Sequence, residues 1–261
     1  MKRVLSLIIT IIIVVMNLTS CSSIDKTHNN IELVVFAASS LTETLTEIGD
    51  IYLESNPDVS LTFNFDSSGT LKTQIEEGAQ CDLFISASST QMNELNVVLN
   101  DSRVDLLENK IALVTPSGNP ANTQSFDDMA KSLETGDLFM AVGNADVPVG
   151  EYTLKIFEHY GLSSSELDSK CCLTYGSNVK EVTTQVAEGM VDCGIVYQTD
   201  AFSANLDVVD TATADMCGRV TYPAAVLSTS DNIDEAKMFI DYLTSDEASA
   251  VFEKVGFTPL T

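Results

Sequence analysis

Residues 31–52, IELVVFAASSLTETLTEIGDIY, contain the pattern on which the fold depends. The apolar run at 31–38 is typical of a buried strand. Apolar residues then recur at the spacing of one helix face, at Leu41, Leu45, Ile48 and Tyr52. Ser40 followed by Glu43 has the spacing of a capping box, which predicts that Ser39 and Ser40 lie at the start of that helix.

The same order of strand, polar turn and helix recurs along the chain. Turns of this kind occur at residues 65–71 (FDSSGTL), 147–150 (VPVG) and 176–179 (GSNV). The alternation predicts an α/β protein with largely parallel sheets. Helix N-termini expose unpaired N–H groups with partial positive charge, so each turn is also a potential anion site. A capped helix explains any one of them, but four turns in one chain favour a ligand site at the carboxyl ends of the strands.

The chain is strongly acidic, with a formal charge of −25 over 261 residues. Residues 1–20 hold two cations and no acids, so the remainder carries −27 (11 cations against 38 acids). Such a surface repels nucleic acid and disfavours anions at long range. The two arginines after residue 20, Arg103 and Arg219, lie outside the candidate turns. An anionic ligand would therefore be held by short-range hydrogen bonds and dipoles.

The N-terminus has the features of an export signal. Lys2 and Arg3 precede an apolar run at 4–16 that is too short to span a bilayer comfortably. The following Leu18-Thr19-Ser20-Cys21 resembles the lipobox of bacterial lipoproteins. The resemblance implies a signal peptide at 1–20, a lipid on Cys21, a flexible tether at 21–30 and a location on the outer face of the cell membrane. An ordinary signal peptide with an incidental cysteine, or an N-terminal membrane anchor, remain alternatives.

Cysteine and histidine are too sparse to suggest a cation site. Only two histidines occur, His28 and His159, and no C-x-x-C is present. Five cysteines follow Cys21, namely Cys81, Cys171, Cys172, Cys193 and Cys217, and this odd number implies at least one free thiol or an unusual partner. Cys81 and Cys193 each precede an apolar strand and suit a small apolar core residue. The sequence does not assign a disulfide.

Six segments together resemble the molybdate-binding proteins of ABC importers, and the likeness covers roughly residues 31–261. They are FAASSLTE, FDSSGTLKTQIEEGAQCDLFISA, VPVGEY, SNVKEV, GIVYQTDA and YPAAVL, in that family's order. The resemblance implies a two-lobed type II periplasmic-binding-protein fold with the ligand cleft between the lobes. Lobe 1 would comprise 31–112 and 222–261, and lobe 2 would comprise 113–221. Two crossing strands, near 111–115 and 221–226, would join them.

The resemblance also implies a ligand site without positive side chains. The two serine hydroxyls fall on Ser40 and Ser68, the backbone donors on Val149 and Val179, and the phenol on Tyr197. Supporting positions would be Ser39, Asp66, Gly69, Gly150 and Asn178, with Pro148 and Gly150 shaping one turn. The ligand would be molybdate, and also tungstate, so that molybdenum is bound as an oxyanion and no cofactor or free cation is needed.

Asp66 and Gly69 depart from the family's pattern. Asp66 stands where a small uncharged residue is more usual. We expect its side chain to point outward as a turn residue, because Phe65 should face the core, although a carboxylate in the cleft would repel the ligand. Gly69 replaces a more usual serine, which should not disturb a site built on Ser68.

Catalytic motifs are missing from the sequence: it has no G-x-S-x-G, Walker A or H-E-x-x-H. We therefore expect a monomeric binding protein, not an enzyme, whose partners are the oxyanion, the importer's permease and, through it, the ATPase. A binder of another tetrahedral oxyanion, such as sulfate or phosphate, is the alternative within this class. A surface hydrolase on a similar frame is the alternative from another class.

Overall fold

The computed structural model describes residues 31–260, which form two β-sheets flanked by helices. The predictions for residues 1–30, including the signal peptide, lipidation of Cys21 and the tether, lie outside the described residues. The helices of the described part are α1 (Thr42–Ser55), α2 (Ser68–Glu76), α3 (Ser89–Glu94), α4 (Phe126–Thr135), α5 (Pro148–His159), α6 (Ser164–Ser169), α7 (Val179–Ala187), α8 (Gln198–Ser203), α9 (Ala214–Cys217), α10 (Ile233–Leu243) and α11 (Asp246–Val255). Short 3₁₀ turns occur at Ser39–Leu41 and Asn100–Ser102.

The first sheet has six strands in the order β11-β4-β10-β3-β1-β2. These strands are β1 (Ile31–Ala38), β2 (Val59–Asp66), β3 (Leu83–Ile85), β4 (Val104–Asn109), β10 (Val220–Val226) and β11 (Thr258–Pro259). β1 pairs in parallel with β2 and β3, while β10 runs antiparallel to both β3 and β4. The parallel strands end on the same edge, where the turns that follow β1 and β2 lie side by side.

The second sheet has five strands in the order β7-β6-β8-β5-β9. They are β5 (Ile111–Thr115), β6 (Met140–Gly143), β7 (Leu173–Gly176), β8 (Cys193–Tyr197) and β9 (Asp207–Thr211). β6 is parallel to β7 and β8, and β5 is antiparallel to β8 and β9. The predicted α/β class with two lobes is confirmed. The prediction of largely parallel sheets is wrong, because each sheet combines parallel with antiparallel pairs.

The chain crosses between the sheets twice. Lys110 separates β4 of the first sheet from β5 of the second, and the return lies between β9 and β10. β5 and β10, expected as crossing strands, each lie wholly within one sheet. The exact lobe boundaries stay a prediction.

Apolar residues of both sheets belong to one continuous core. β1 contributes side chains that are almost fully buried, such as Leu33 and Val35. All five cysteines in the described part are free, and four of them are buried (Cys81, Cys172, Cys193 and Cys217). The prediction that Cys81 and Cys193 serve as core residues is confirmed. Cys171 is exposed.

Candidate functional site

A small cavity lies where the predicted turns of the two lobes meet. Four segments that precede or begin helices line it, together with Ala87 and Tyr197: residues 38–40, 66–68, 147–149 and Val179. The five residues proposed to contact a ligand, Ser40, Ser68, Val149, Val179 and Tyr197, all belong to this lining, as do Ser39 and Asp66. Gly69, Gly150 and Asn178 are chain neighbours of lining residues.

Ser40 lies in the 3₁₀ turn that joins β1 to α1, and it is only 6% exposed. Its Oγ is 2.9 Å from the hydroxyl oxygen of Tyr222 on β10. The predicted capping box is wrong, because neither the 3₁₀ turn nor α1 has a side-chain cap. The Ser40 hydroxyl is instead hydrogen-bonded to Tyr222, and the Glu43 carboxylate accepts a hydrogen bond from Lys180 of the second lobe.

Ser68 is the first residue of α2, three residues earlier than the apolar pattern indicated. Ser67 caps the helix by accepting a hydrogen bond from the Thr70 N–H at 3.1 Å. The Ser68 Oγ accepts a hydrogen bond from the Ala87 N–H at 3.0 Å. Since an amide N–H can only donate, the proton of the Ser68 hydroxyl is left for a partner in the cavity.

Helix α5 begins at Pro148 with no side-chain cap, although its first turn is buried. The turn predicted at 147–150 therefore overlaps the helix, with Val147 as the N-cap residue and residues 148–150 in the first turn. The Val149 N–H lies in the first turn and has no carbonyl four residues earlier within the helix. A buried, uncapped N-terminus of this kind calls for a hydrogen-bond acceptor.

Helix α7 begins at Val179 and has its predicted cap. The Asn178 Oδ1 accepts a hydrogen bond from the Glu181 N–H at 3.1 Å, and the Glu181 carboxylate accepts one from the Ser177 N–H at 2.7 Å. The cap therefore engages the third residue of the helix and leaves the Val179 N–H directed at the cavity edge. Asn178 shapes the turn without lining the cavity.

Tyr197 ends β8, and its side chain is 2% exposed. Its hydroxyl is buried and has no hydrogen-bond partner among the described residues. Burial raises the pKa of this phenol well above its usual value, so it remains a proton donor at neutral pH. The ring packs edge-on against Tyr152 and Tyr222, which fixes its position.

Asp66 belongs to the residues that line the cavity, and the expectation that its side chain points outward stays a prediction. Its Oδ1 accepts a hydrogen bond from the Ser67 N–H at 2.7 Å, as expected of a turn residue. The outward direction was expected for Asp66 because side chains alternate between the two faces of β2. Asp66 is the last residue of that strand, where the chain turns into α2 and the alternation ends.

Two glycines allow the turns to approach closely. A Cβ on Gly150 would lie 1.9 Å from the Asn144 carbonyl oxygen. A Cβ on Gly69 would lie 2.4 Å from the carbonyl oxygen of Asp146, which belongs to the opposite lobe. A serine, which is more usual in the family, would therefore not fit at Gly69 in this arrangement, and the expectation that glycine does not disturb a site built on Ser68 stays a prediction.

No lysine or arginine of residues 31–260 lines the cavity. The Lys180 ammonium lies between the carboxylates of Glu43, at 2.8 Å, and Asp200, at 3.3 Å. Burial raises the pKa of Asp200 to about 6, while Lys180 opposes the rise. On another side, the Glu151 carboxylate accepts hydrogen bonds from Ser88 and Gln91 of the first lobe.

Several of these residues carried no sequence signal. Tyr222, Asp200 and Glu151 were noted only within the segments YPAAVL, GIVYQTDA and VPVGEY, and Asn109 was not noted. Within the described part there is no cluster of three or more His, Cys, Asp or Glu suited to a metal ion. No helix of residues 31–260 has the length and apolarity needed to cross a membrane.

Two α/β lobes linked by two chain crossings and enclosing a cavity of neutral donors define a solute-binding protein of the periplasmic type. The chain belongs to the family of bacterial extracellular solute-binding proteins, whose model matches residues 33–258.

Three comparisons place the chain within this family. It is 34% identical to YvgL of Bacillus subtilis, whose suggested role is that of an ABC transporter substrate-binding lipoprotein, over 96% of this chain and 95% of YvgL. It is 32% identical to the molybdate-binding protein ModA of Haemophilus influenzae, over 87% of this chain and 90% of ModA. The substrate-binding domain of a suggested molybdenum ABC transporter from Clostridium difficile superposes with a TM-score of 0.65 at 33% identity, over 88% of this chain and all of that domain.

Proposed function

We propose that this protein captures molybdate, and also tungstate, outside the cytoplasm and delivers it to the permease of an ABC importer. The observation that carries the proposal is the buried Tyr197 hydroxyl, which borders the cavity without a hydrogen-bond partner among the described residues. A buried donor without an acceptor costs about 1–3 kcal/mol. An oxyanion between the lobes would remove this cost.

The remaining donors support the same ligand class. Two serine hydroxyls from one lobe and two helix N-termini from the other surround the cavity, with no cationic side chain among them. Neutral donors in a site shielded from water bind a dianion through strengthened hydrogen bonds. The ModA proteins, related over most of their length, support molybdate as the particular oxyanion.

Size and protonation would set the selectivity. Donors spaced for a large tetrahedral oxyanion leave a smaller one such as sulfate with unmade hydrogen bonds, at about 1–3 kcal/mol each. Hydrogen phosphate carries a proton that needs an acceptor.

Calorimetry on protein lacking residues 1–20 tests the proposal, with molybdate, tungstate, sulfate and phosphate titrated separately. We expect tight binding of the first two and none of the others. Tight binding of sulfate or phosphate alone would instead support the alternative oxyanion. Binding of none, with turnover of an ester substrate, would support a hydrolase.

The serines give a test of the site itself. Ser40→Ala and Ser68→Ala should each weaken molybdate binding roughly ten- to a hundredfold, because each removes a hydrogen bond to a charged ligand. Ser165→Ala, at an exposed serine of α6, serves as the control. Full affinity in the double variant would place the site elsewhere.

The membrane attachment is a separate proposal. We propose that the lipid on Cys21 holds a monomeric protein at the outer face of the cell membrane. YvgL, with its suggested lipoprotein character, supports this reading. Cys21→Ala should abolish labelling by a radioactive fatty acid and release the protein from the membrane fraction. Labelling equal to that of the unaltered protein would refute the anchor.

A further inference from the structure

Behind Ser40 lies a chain of buried polar groups that reaches the crossing between the lobes. The Ser40 Oγ is 2.9 Å from the Tyr222 hydroxyl oxygen, and that oxygen is 3.3 Å from the Nδ2 of Asn109. Tyr222 is fully buried and Asn109 is 3% exposed. Asn109 is the last residue of β4, directly before Lys110, where the chain passes to the second lobe.

The direction of these hydrogen bonds follows from one backbone amide. The Lys110 N–H points at the side-chain amide of Asn109 at 2.8 Å, and an N–H can only donate. The atom facing it is therefore the oxygen, and the remaining NH₂ group of Asn109 must donate. The Nδ2 of Asn109 donates one proton to the Thr199 Oγ1, at an N···O distance of 2.9 Å, and its other proton to the Tyr222 hydroxyl oxygen.

The Tyr222 hydroxyl can then donate its proton in only one direction. Its oxygen accepts from Asn109, and burial raises the pKa of Tyr222 well above the usual value, so its proton stays on. Of the two groups hydrogen-bonded to this hydroxyl, Asn109 is a donor, so only the Ser40 Oγ can receive the proton. The opposite direction would leave a buried phenol proton without an acceptor.

We propose that Asn109 and Tyr222 are positioning residues that fix Ser40 as a hydrogen-bond donor toward the cavity. The proposal rests on the proposed function, namely an oxyanion in that cavity. Once the Ser40 oxygen accepts from Tyr222, the serine proton is directed to the ligand. Ser68 is oriented in the same way by the Ala87 N–H. Both serines then present a proton to the ligand, which favours an unprotonated oxyanion oxygen as the acceptor.

The test is a double-mutant cycle with Tyr222→Phe and Ser40→Ala, read by molybdate titration calorimetry. Tyr222→Phe keeps the ring and should weaken binding about five- to twentyfold, as one lost hydrogen bond does. In the Ser40→Ala background the same substitution should change affinity less than twofold, because its effect passes through Ser40. Tyr52→Phe, a buried tyrosine of α1 away from the cavity, is the matched control.

A second readout separates positioning from a structural effect. Tyr222→Phe removes the donor that fixes the direction of the Ser40 proton and leaves both lone pairs of the Ser40 oxygen open, so the ratio of molybdate to hydrogen phosphate affinity should fall. Asn109→Ala should lower the same ratio. Wild-type affinity in Tyr222→Phe, or equal losses in both backgrounds of the cycle, would overturn the inference. Failure of the unaltered protein to bind any oxyanion would overturn the proposed function instead.

Discussion

The phenol of Tyr197 illustrates how a binding residue can weaken a fold locally. Its hydroxyl is buried without a hydrogen-bond partner among the described residues. The ring nevertheless packs against Tyr152 and Tyr222, so the side chain is held in place by apolar contact. The hydroxyl is thus positioned for a ligand at the expense of the ligand-free protein.

Tyr197→Phe should therefore separate stability from binding. We expect ligand-free stability to be unchanged or slightly higher, because a buried unpaired hydroxyl is removed. Molybdate affinity should fall roughly tenfold, and the rise in melting temperature on adding molybdate should shrink with it. Scanning calorimetry with and without molybdate measures both. Lower ligand-free stability with unchanged affinity would make Tyr197 a structural residue only.

Asp200 should make the folded protein less stable as the pH rises, which is the opposite of what a carboxylate usually does. Burial raises its pKa to about 6, above the roughly 3.9 of an unfolded chain, so the folded state binds the proton more tightly. Stability due to this group is present below about pH 4 and is lost as the pH rises to about 6. The ionised carboxylate that results faces Lys180, with Glu43 on the other side of that ammonium.

Asp200→Asn should remove this pH dependence. Relative to the unaltered protein, the free energy of unfolding of the variant should rise by about 2–3 kcal/mol between pH 4 and pH 7, from a shift of about two pKa units. Urea unfolding at several pH values measures the difference. Asp192→Asn, at a residue of the α7–β8 loop outside the ion pair with Lys180, is the control. Parallel curves for Asp200→Asn and the unaltered protein would contradict the assignment.

At the scale of elements, the candidate site is formed by helix N-termini. α2, α5 and α7 and the turn before α1 all present their N-termini to one cavity. Close approach of α2 to the second lobe depends on Gly69, whose position has no room for a Cβ beside the Asp146 carbonyl oxygen. Gly69 and Asp146 belong to different lobes, so this contact exists only while the two lobes are closed on each other.

Gly69→Ala should consequently hinder closure more than folding. We expect molybdate affinity to fall by about five- to a hundredfold, since overpacking costs roughly 1–3 kcal/mol, with little change in ligand-free melting temperature. Titration calorimetry and a thermal scan test this. Thr73→Ala, at an exposed residue of the same helix, should bind normally. Wild-type affinity in Gly69→Ala would show that the close contact is unimportant.

The order of elements was largely predictable, whereas contacts between distant residues were not. Apolar runs and helical periodicity identified β1 and α1 to within a few residues. β4 and β9 were missed because their short, acid-containing sequences, VDLLEN and DVVDT, lack a clear apolar run. The partner of Ser40 lies 182 residues away, so local patterns suggested a cap within its own helix instead.

Across the whole molecule, polar contacts join the lobes on either side of the cavity. Lys180 and Glu43 form one such contact at 2.8 Å. On another side, the Gln91 Nε2 donates to a Glu151 carboxylate oxygen at 2.6 Å. Each contact spans the two lobes and is broken if they separate. Together they stabilise the arrangement that encloses the cavity.

Gln91→Ala should shift the balance toward separated lobes. We expect molybdate to dissociate roughly fivefold faster, from a loss of about 1 kcal/mol in the closed form. Stopped-flow displacement of molybdate by excess tungstate gives the rate. Thr90→Ala, at the exposed neighbouring residue, is the control. An unchanged dissociation rate in Gln91→Ala would remove this contact from the closing mechanism.

The position of β10 between β3 and β4 determines when the first sheet can be assembled. β4 is synthesised more than a hundred residues before β10, yet its two neighbours, β10 and β11, are both at the far end of the chain. Until those residues have been made, the first lobe has no complete sheet, whereas every strand of the second is already present. The second lobe can therefore become compact during synthesis, whereas the first lobe waits for the last residues of the chain.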